Sequence, residues 1–110
     1  MKIRFLGHSS FEISSREGTI VTDPFDSRKV GLSFPKITAD LVLSSHDHFD
    51  HNYLEGVSSE SLAVTAPGEY DTRGVKVWGF PTFHDNQEGK ERGDNTVYLF
   101  EAEGITLCHL

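Results

Sequence analysis

The sequence predicts an α+β domain that is rich in β-strands and contains little helix. Apolar residues recur at every second position or in short runs, which is typical of strands. Turn residues, glycine and proline among them, separate these runs. Only residues 52–57 have the pattern of a turn or two of helix. A chain of 110 residues accommodates one domain with a modest core.

Three strands are predicted at the start of the chain, over residues 2–6, 11–14 and 19–22. Polar turns at residues 7–10 and 16–18 join them into a meander. The third strand ends at Asp23-Pro24, because proline has no N–H for a sheet and restricts the residue before it. We expect residues 24–39 to form a long loop.

The rest of the chain predicts further strands over residues 41–43, 62–65 and 75–80, and a hairpin over 97–101 and 105–109. The run 41–43 is entirely apolar, which indicates a buried strand. Residues 85–95 form a polar loop that is long enough to suggest a function.

Composition and charge narrow the classes of function. The net charge is −7, with 10 basic against 17 acidic residues, which argues against a nucleic-acid binder and suits divalent cations. No apolar run approaches the roughly 18 residues of a membrane span, and the first residues show no signal-peptide pattern. Cys108 is the single cysteine, so no internal disulfide can form. We therefore expect a cytoplasmic protein.

Three of the six histidines fall within six residues, directly after the predicted strand 41–43. In extended backbone, residues two apart point the same way, so His46 and His48 can reach one metal ion together. Asp50 and His51 would diverge from that pair, which suits a second ion. Imidazole and carboxylate ligands favour zinc, with manganese, iron or nickel as alternatives. The competing interpretation is a solvated polar loop after a strand.

The run His46-Asp47-His48-Phe49-Asp50-His51 resembles the HxHxDH signature of the metallo-β-lactamase superfamily. The opening of the chain more closely resembles the L-ascorbate-6-phosphate lactonase-like branch of that family, and the resemblance covers the whole chain. The supporting residues are Phe5-Leu6-Gly7-His8-Ser9-Ser10-Phe11, Thr22-Asp23-Pro24-Phe25, Thr82-Phe83-His84-Asp85 and Cys108-His109-Leu110.

This resemblance implies that residues 1–110 form the β-rich, N-terminal half of an αββα sandwich, with the C-terminal part absent. It implies that His46, His48 and His84 bind a first metal ion, and that Asp50 and His51 serve a second. A purely structural role is the alternative for His84. Family members continue from a His-Leu pair into Gly-Asp, whose aspartate bridges the metals, and the chain ends at Leu110 before that point.

The implied function is that of a metal-dependent hydrolase acting on a small molecule. Metal-bound hydroxide would attack a lactone, ester, amide or phosphodiester, with Asp50 binding metal and orienting the hydroxide. The alternative is a non-catalytic metal-binding half-domain that needs a partner chain or its own C-terminal half. A nuclease of the same superfamily is disfavoured by the acidic charge.

Three further residues have two interpretations each, and a fourth has one. His8 could line the site or simply occupy its turn. Asp23 could orient a ligand histidine by a hydrogen bond, or make a local turn bond. His109 could form a wall of the site or lie half-buried at the surface. We expect Cys108 to pack in the core, because free cysteine behaves as a small hydrophobe.

The predicted strands suffice for about one sheet, with little helix to shield it. Their apolar side chains therefore predict an uncovered sheet face. These residues are Leu41, Val42, Leu43, Val64, Val77, Val97, Leu99, Ile105 and Leu107. We expect the chain to self-associate or to pair with the missing C-terminal half.

Overall fold

The computed structural model describes residues 1–46, 57, 61–72, 74–83 and 94–110. Within these residues the chain forms nine strands in two sheets and one short helix. The elements are β1 (Lys2–Gly7), β2 (Ser10–Ser14), β3 (Thr19–Thr22), α1 (Ser27–Val30), β4 (Leu41–Leu43), β5 (Leu62–Val64), β6 (Gly68–Thr72), β7 (Val75–Phe83), β8 (Asp94–Ala102) and β9 (Ile105–His109). The predicted β-rich fold with little helix is thus confirmed.

The two sheets differ in strand direction. In the first, with the order β1-β2-β3-β4-β5, the first three strands are antiparallel, and β4 and β5 then continue parallel to β3. The second is antiparallel, in the order β6-β7-β8-β9. Because β3 and β4 run in parallel, their carboxyl ends meet at the same edge of the first sheet.

The core lies between the two sheets and follows from the alternation of side chains along each strand. Ile20, Leu41 and Leu43 point inward, where they join Val77 and Phe100 of the second sheet. Val21 and Val42 point to the opposite face. There they pack against Ile37, Ala39 and Val57, so β3 and β4 are buried on both faces.

The expectation of a single sheet was wrong. Strands β6 to β9 form a second sheet that covers the inner face of the first, so Leu41, Leu43, Val64 and Val77 are all buried. Cys108 is also not in the core but exposed. Its partner in β8 is Leu99, and both lie on the outer face, whereas Leu107 packs inward.

Two elements were not predicted. Helix α1 lies within the predicted loop 24–39; the Asp26 side chain caps its start by accepting from the Arg28 N–H, and Gly31 ends it at φ 84°. Strand β6 is an edge strand with few apolar residues, held by its backbone pairing with β7. The helix predicted at residues 52–57 lies outside the described residues, except Val57, which forms a bridge with Ile37. No helix in the described ranges is long and apolar enough to cross a membrane.

Tyr98 ties the second sheet to the end of β4. Its side chain is fully buried, and its hydroxyl lies 2.8 Å from the Ser44 carbonyl oxygen and 3.1 Å from that of Val64. Burial raises the pKa of the Tyr98 hydroxyl far above its ordinary value. The folded chain therefore keeps this phenol protonated when an exposed phenol would ionise.

We expect the free energy of unfolding to fall as the pH rises above about 10, by up to about 1.4 kcal/mol per pH unit. The unfolded chain ionises Tyr98 near that pH and the folded chain does not, so unfolding releases a proton and becomes easier. Urea unfolding of the chain and of Tyr98→Phe at about pH 8 and about pH 11 measures this. An equal loss in both proteins at the higher pH would contradict the assignment to Tyr98.

Candidate metal centre

The ends of three strands meet at one edge of the sandwich. Asp23 directly follows β3, Ser44 to His46 directly follow β4, and His109 is the last residue of β9. The Asp23 N–H donates to the Leu43 carbonyl at 2.8 Å, and the Thr96 N–H donates to the Ser45 carbonyl at 2.6 Å. These backbone bonds fix the segment after β4 to both sheets.

Asp23 is the centre of a buried hydrogen-bond network. Its side chain accepts from the Ser45 N–H at 2.7 Å, from the Ser45 hydroxyl at 2.8 Å and from His109 Nε2 at 2.9 Å. Asp23 is 1% exposed and has a φ of 42°, a left-handed conformation that aspartate tolerates better than most residues. Its bonding partners lie 22 and 86 residues further along the chain, so they are not a local turn.

His46 is buried beside this network. Its Nδ1 atom lies 2.9 Å from Ser45 Oγ, and its carbonyl oxygen accepts from the Ser44 hydroxyl at 3.2 Å. Asp23 and His46 are thus connected through the Ser45 hydroxyl. Because Nδ1 is engaged with Ser45, coordination of a metal ion by His46 would use Nε2.

The remaining predicted metal ligands, His48, Asp50, His51 and His84, lie outside the described residues. His46 is the member of that set whose surroundings the structure shows. In the described part of the chain, no three His, Cys, Asp or Glu side chains form a cluster that could hold a metal ion. The predicted ligand set, and the catalytic role of Asp50, therefore stay predictions.

The other two candidate histidines lie near the same edge. His109 is partly buried, and its ring lies edge-on to Phe11, with 6.4 Å between the ring centroids. His8 occupies the exposed β1–β2 turn at φ 54°, and its ring meets Phe25 edge-on at 6.3 Å. Phe25 is two residues beyond Asp23, which places His8 beside the Asp23 segment.

Sequence reasoning missed Ser45 and Tyr98. Ser45 links the aspartate to the histidine, and Tyr98 holds the Ser44 carbonyl. Ser44-Ser45 stands between an apolar strand and the first histidine of the motif, a position that is not distinctive by itself. Only the fold shows that the Asp23 side chain lies within hydrogen-bonding distance of Ser45.

The surroundings of His46 suit an imidazole that binds a metal ion. A neutral imidazole binds zinc, and its second ring nitrogen is usually held by a carboxylate, a carbonyl or water. Here that nitrogen is hydrogen-bonded to the Ser45 hydroxyl, which in turn is hydrogen-bonded to the Asp23 carboxylate. This arrangement would orient the ring and supply negative charge close to a bound cation.

Comparison with known proteins places the chain in a family. The family model of the beta-lactamase superfamily domain matches residues 2–110. A protein of Thermococcus onnurineus named a metal-dependent hydrolase is 30% identical, in a match over 99% of this chain and 60% of that protein. A protein of the same name from Methanobrevibacter smithii is 44% identical, over 96% of this chain and 57% of its own length.

Two solved structures are similar to the chain. A candidate Zn-dependent hydrolase of the metallo-β-lactamase superfamily from Thermotoga maritima gives a TM-score of 0.74 at 41% identity, over 98% of this chain and 47% of that one. A candidate metal-dependent hydrolase from Parabacteroides distasonis gives 0.70 at 21% identity, over 97% and 58%, which supports the fold alone. The chain thus spans about half to three fifths of the length of these proteins.

Proposed function

The chain belongs to the metallo-β-lactamase superfamily. We propose that it provides the ligands of the first metal ion, and part of those of the second, in the site of a metal-dependent hydrolase. The observation that carries this proposal is the placement of His46. The first histidine of the signature is buried just after β4. Its Nδ1 atom is hydrogen-bonded to the Ser45 hydroxyl, and that hydroxyl is hydrogen-bonded to the buried Asp23 carboxylate. Relatives of this chain are named metal-dependent hydrolases.

In this proposal His46, His48 and His84 bind one metal ion, while Asp50 and His51 supply some of the ligands of a second. We propose zinc for both ions, with manganese, iron or nickel as alternatives. When bound, such ions lower the pKa of a coordinated water towards about 7, so that hydroxide can attack, and they polarise the substrate oxygen. The role of His46 is to fix the first ion, and that of Asp50 is to orient the attacking group.

The proposed substrate is a small molecule with a lactone, ester, amide or phosphodiester bond. We propose the L-ascorbate-6-phosphate lactonase-like branch, which the opening residues of the sequence resemble, and lactones are therefore the class to test first. The free, exposed thiol of Cys108 suits a reducing compartment, and on that basis we propose a cytoplasmic location.

The test compares the 110-residue chain with a chimera that carries the C-terminal part of the Thermotoga maritima protein after Leu110. We expect the chimera to hydrolyse at least one of a lactone, an aryl ester and an aryl phosphodiester when zinc is present. We expect a chelator to abolish this activity, and the chain alone to have little of it. Equal activity of the chain alone would contradict a half-site, and no zinc-dependent hydrolysis by the chimera would contradict the hydrolase.

One observation favours the alternative, a metal-binding half-domain that acts only with a partner. Ile3 and Phe5 in β1 pair with Ile13 and Phe11 and so share the core-facing side of the sheet. They are nevertheless 54% and 62% exposed, and Ile105 in β9, the edge strand of the second sheet, is 48% exposed. Among the residues that the structure describes, nothing covers the space between the two sheets along β1 and β9.

This open strip leads us to expect that the 110-residue chain self-associates. Exposed core-facing residues at an edge strand offer both apolar surface and unpaired backbone groups. Sedimentation at increasing concentration should show oligomers. The double substitution Ile3→Ser and Phe5→Ser should shift the chain towards the monomer.

Phe80→Ser is the matched control, because Phe80 is 49% exposed on the outer face of the second sheet. This variant should associate as the unchanged chain does. A well-folded monomer of the unchanged chain at high concentration would refute the expectation. The chimera should be less prone to associate, since relatives carry a further segment that can cover the strip.

A further inference from the structure

We propose that Asp23, acting through Ser45, sets the tautomer of His46. The three side chains form a hydrogen-bonded row with one direction of donation, which places the imidazole proton on Nδ1 and the lone pair on Nε2. The link to metal binding rests on the proposed function, but the tautomer itself can be measured without any metal.

The direction of donation follows from the atoms present. An ionised carboxylate only accepts hydrogen bonds, whereas a serine hydroxyl has one proton to donate. Ser45 Oγ lies 2.8 Å from Asp23 Oδ2 and 2.9 Å from His46 Nδ1. The hydroxyl proton is used by the carboxylate, so the second contact must be donated by the ring, as Nδ1–H to Ser45 Oγ.

The surroundings hold this row in place. Asp23, Ser45 and His46 are 1%, 2% and 8% exposed, so water has little access to the hydroxyl. Asp23 Oδ1 is fixed by the Ser45 N–H, and Oδ2 accepts a second bond from His109 Nε2. The Ser45 carbonyl is held by the Thr96 N–H. Both neighbours of the hydroxyl are thus positioned, and it cannot turn without losing a bond.

Substitution of Asp23 by asparagine should reverse the row with almost no change of shape. The amide oxygen keeps its bond from the Ser45 N–H, so the amide nitrogen takes the position of Oδ2. That NH₂ group donates one hydrogen to Ser45 Oγ, whose own proton then turns to His46 Nδ1. Its second hydrogen points to His109 Nε2, which then has to accept, with the His109 proton on Nδ1. The imidazole remains neutral and carries its proton on Nε2. Asparagine also tolerates the left-handed backbone found at this position.

The experiment is ¹⁵N NMR of the metal-free 110-residue chain with labelled histidine, at about pH 8, where a typical imidazole is neutral. The His46 signals are identified as those missing in a His46→Gln variant. We expect Nδ1–H in the unchanged chain and in Ser45→Thr, which retains the hydroxyl. We expect Nε2–H in Asp23→Asn. In Ser45→Ala, which removes the row, we expect a mixture of both forms.

Zinc binding supplies the second readout. A ring that carries its proton on Nε2 cannot coordinate through that atom until the proton moves, so Asp23→Asn should bind zinc about 10- to 100-fold more weakly. Ser45→Thr should restore the affinity lost in Ser45→Ala. A proton on Nε2 in the unchanged chain, or on Nδ1 in Asp23→Asn, would overturn the proposal. Failure of the hydrolase assay would leave these NMR results unaffected.

Discussion

Replacing Asp23 with alanine should lower the free energy of unfolding by about 3–5 kcal/mol. The substitution removes the acceptor for the Ser45 N–H, the Ser45 hydroxyl and His109 Nε2. A buried donor left without an acceptor costs about 1–3 kcal/mol, and these three lie in the same buried region. Alanine also tolerates the left-handed backbone at position 23 less well than aspartate does.

Urea unfolding followed by circular dichroism measures this loss. Asp71→Ala is the matched control, because Asp71 is exposed on the edge strand β6 and should change stability by no more than about 0.5 kcal/mol. Asp23→Asn should cost less than Asp23→Ala, since the amide fills the same space and still hydrogen-bonds. A loss from Asp23→Ala no larger than that from Asp71→Ala would show that the network does not stabilise the fold.

In the chimera, His46→Ala should lower kcat/KM for the hydrolysed substrate by more than about 100-fold. Loss of a residue that supports a metal ligand typically costs 10- to 100-fold, and loss of the ligand itself should exceed that range. His46 is also buried against Ser45, so no neighbouring water can readily replace its ring in the same position.

The rate is measured with zinc present in excess, so that weak binding alone does not account for the loss. Glu101→Gln is the matched control, because Glu101 lies in β8 on the outer face of the second sheet, opposite Thr106. Its activity should equal that of the unchanged chimera. Activity of His46→Ala within a few-fold of the control would show that His46 is not a metal ligand.

Strands with a strong apolar pattern could be predicted from the sequence. The run Leu41–Leu43 is apolar throughout because β4 is covered on both faces, by the second sheet and by the segment around Ile37. Strand β6 has no such pattern, because it lies at an edge and its pairing with β7 uses backbone groups. Helix α1 is too short to show helical periodicity, and only Asp26 and Gly31 mark its ends.

The sequence allowed the motif residues of the candidate site to be predicted, but not the residues that support them. His46 could be singled out because metal-binding residue types recur at ligand spacing around it. Ser45 could not, because a serine before a histidine has no distinctive pattern. Its importance arises from the parallel pairing of β3 and β4, which brings the Asp23 carboxylate within 2.7 Å of the Ser45 backbone nitrogen. Long-range contacts of this kind depend on topology.

Zinc titration of the 110-residue chain by calorimetry tests the central claim most directly. His46, His48 and His84 are all present in this chain, so we predict that it binds zinc with its first-metal ligands alone. His48→Ala should weaken that binding by at least about 100-fold, since one of three ligands is lost, while Glu101→Gln should leave it unchanged. Equal zinc affinity of the unchanged chain and His48→Ala would contradict the account.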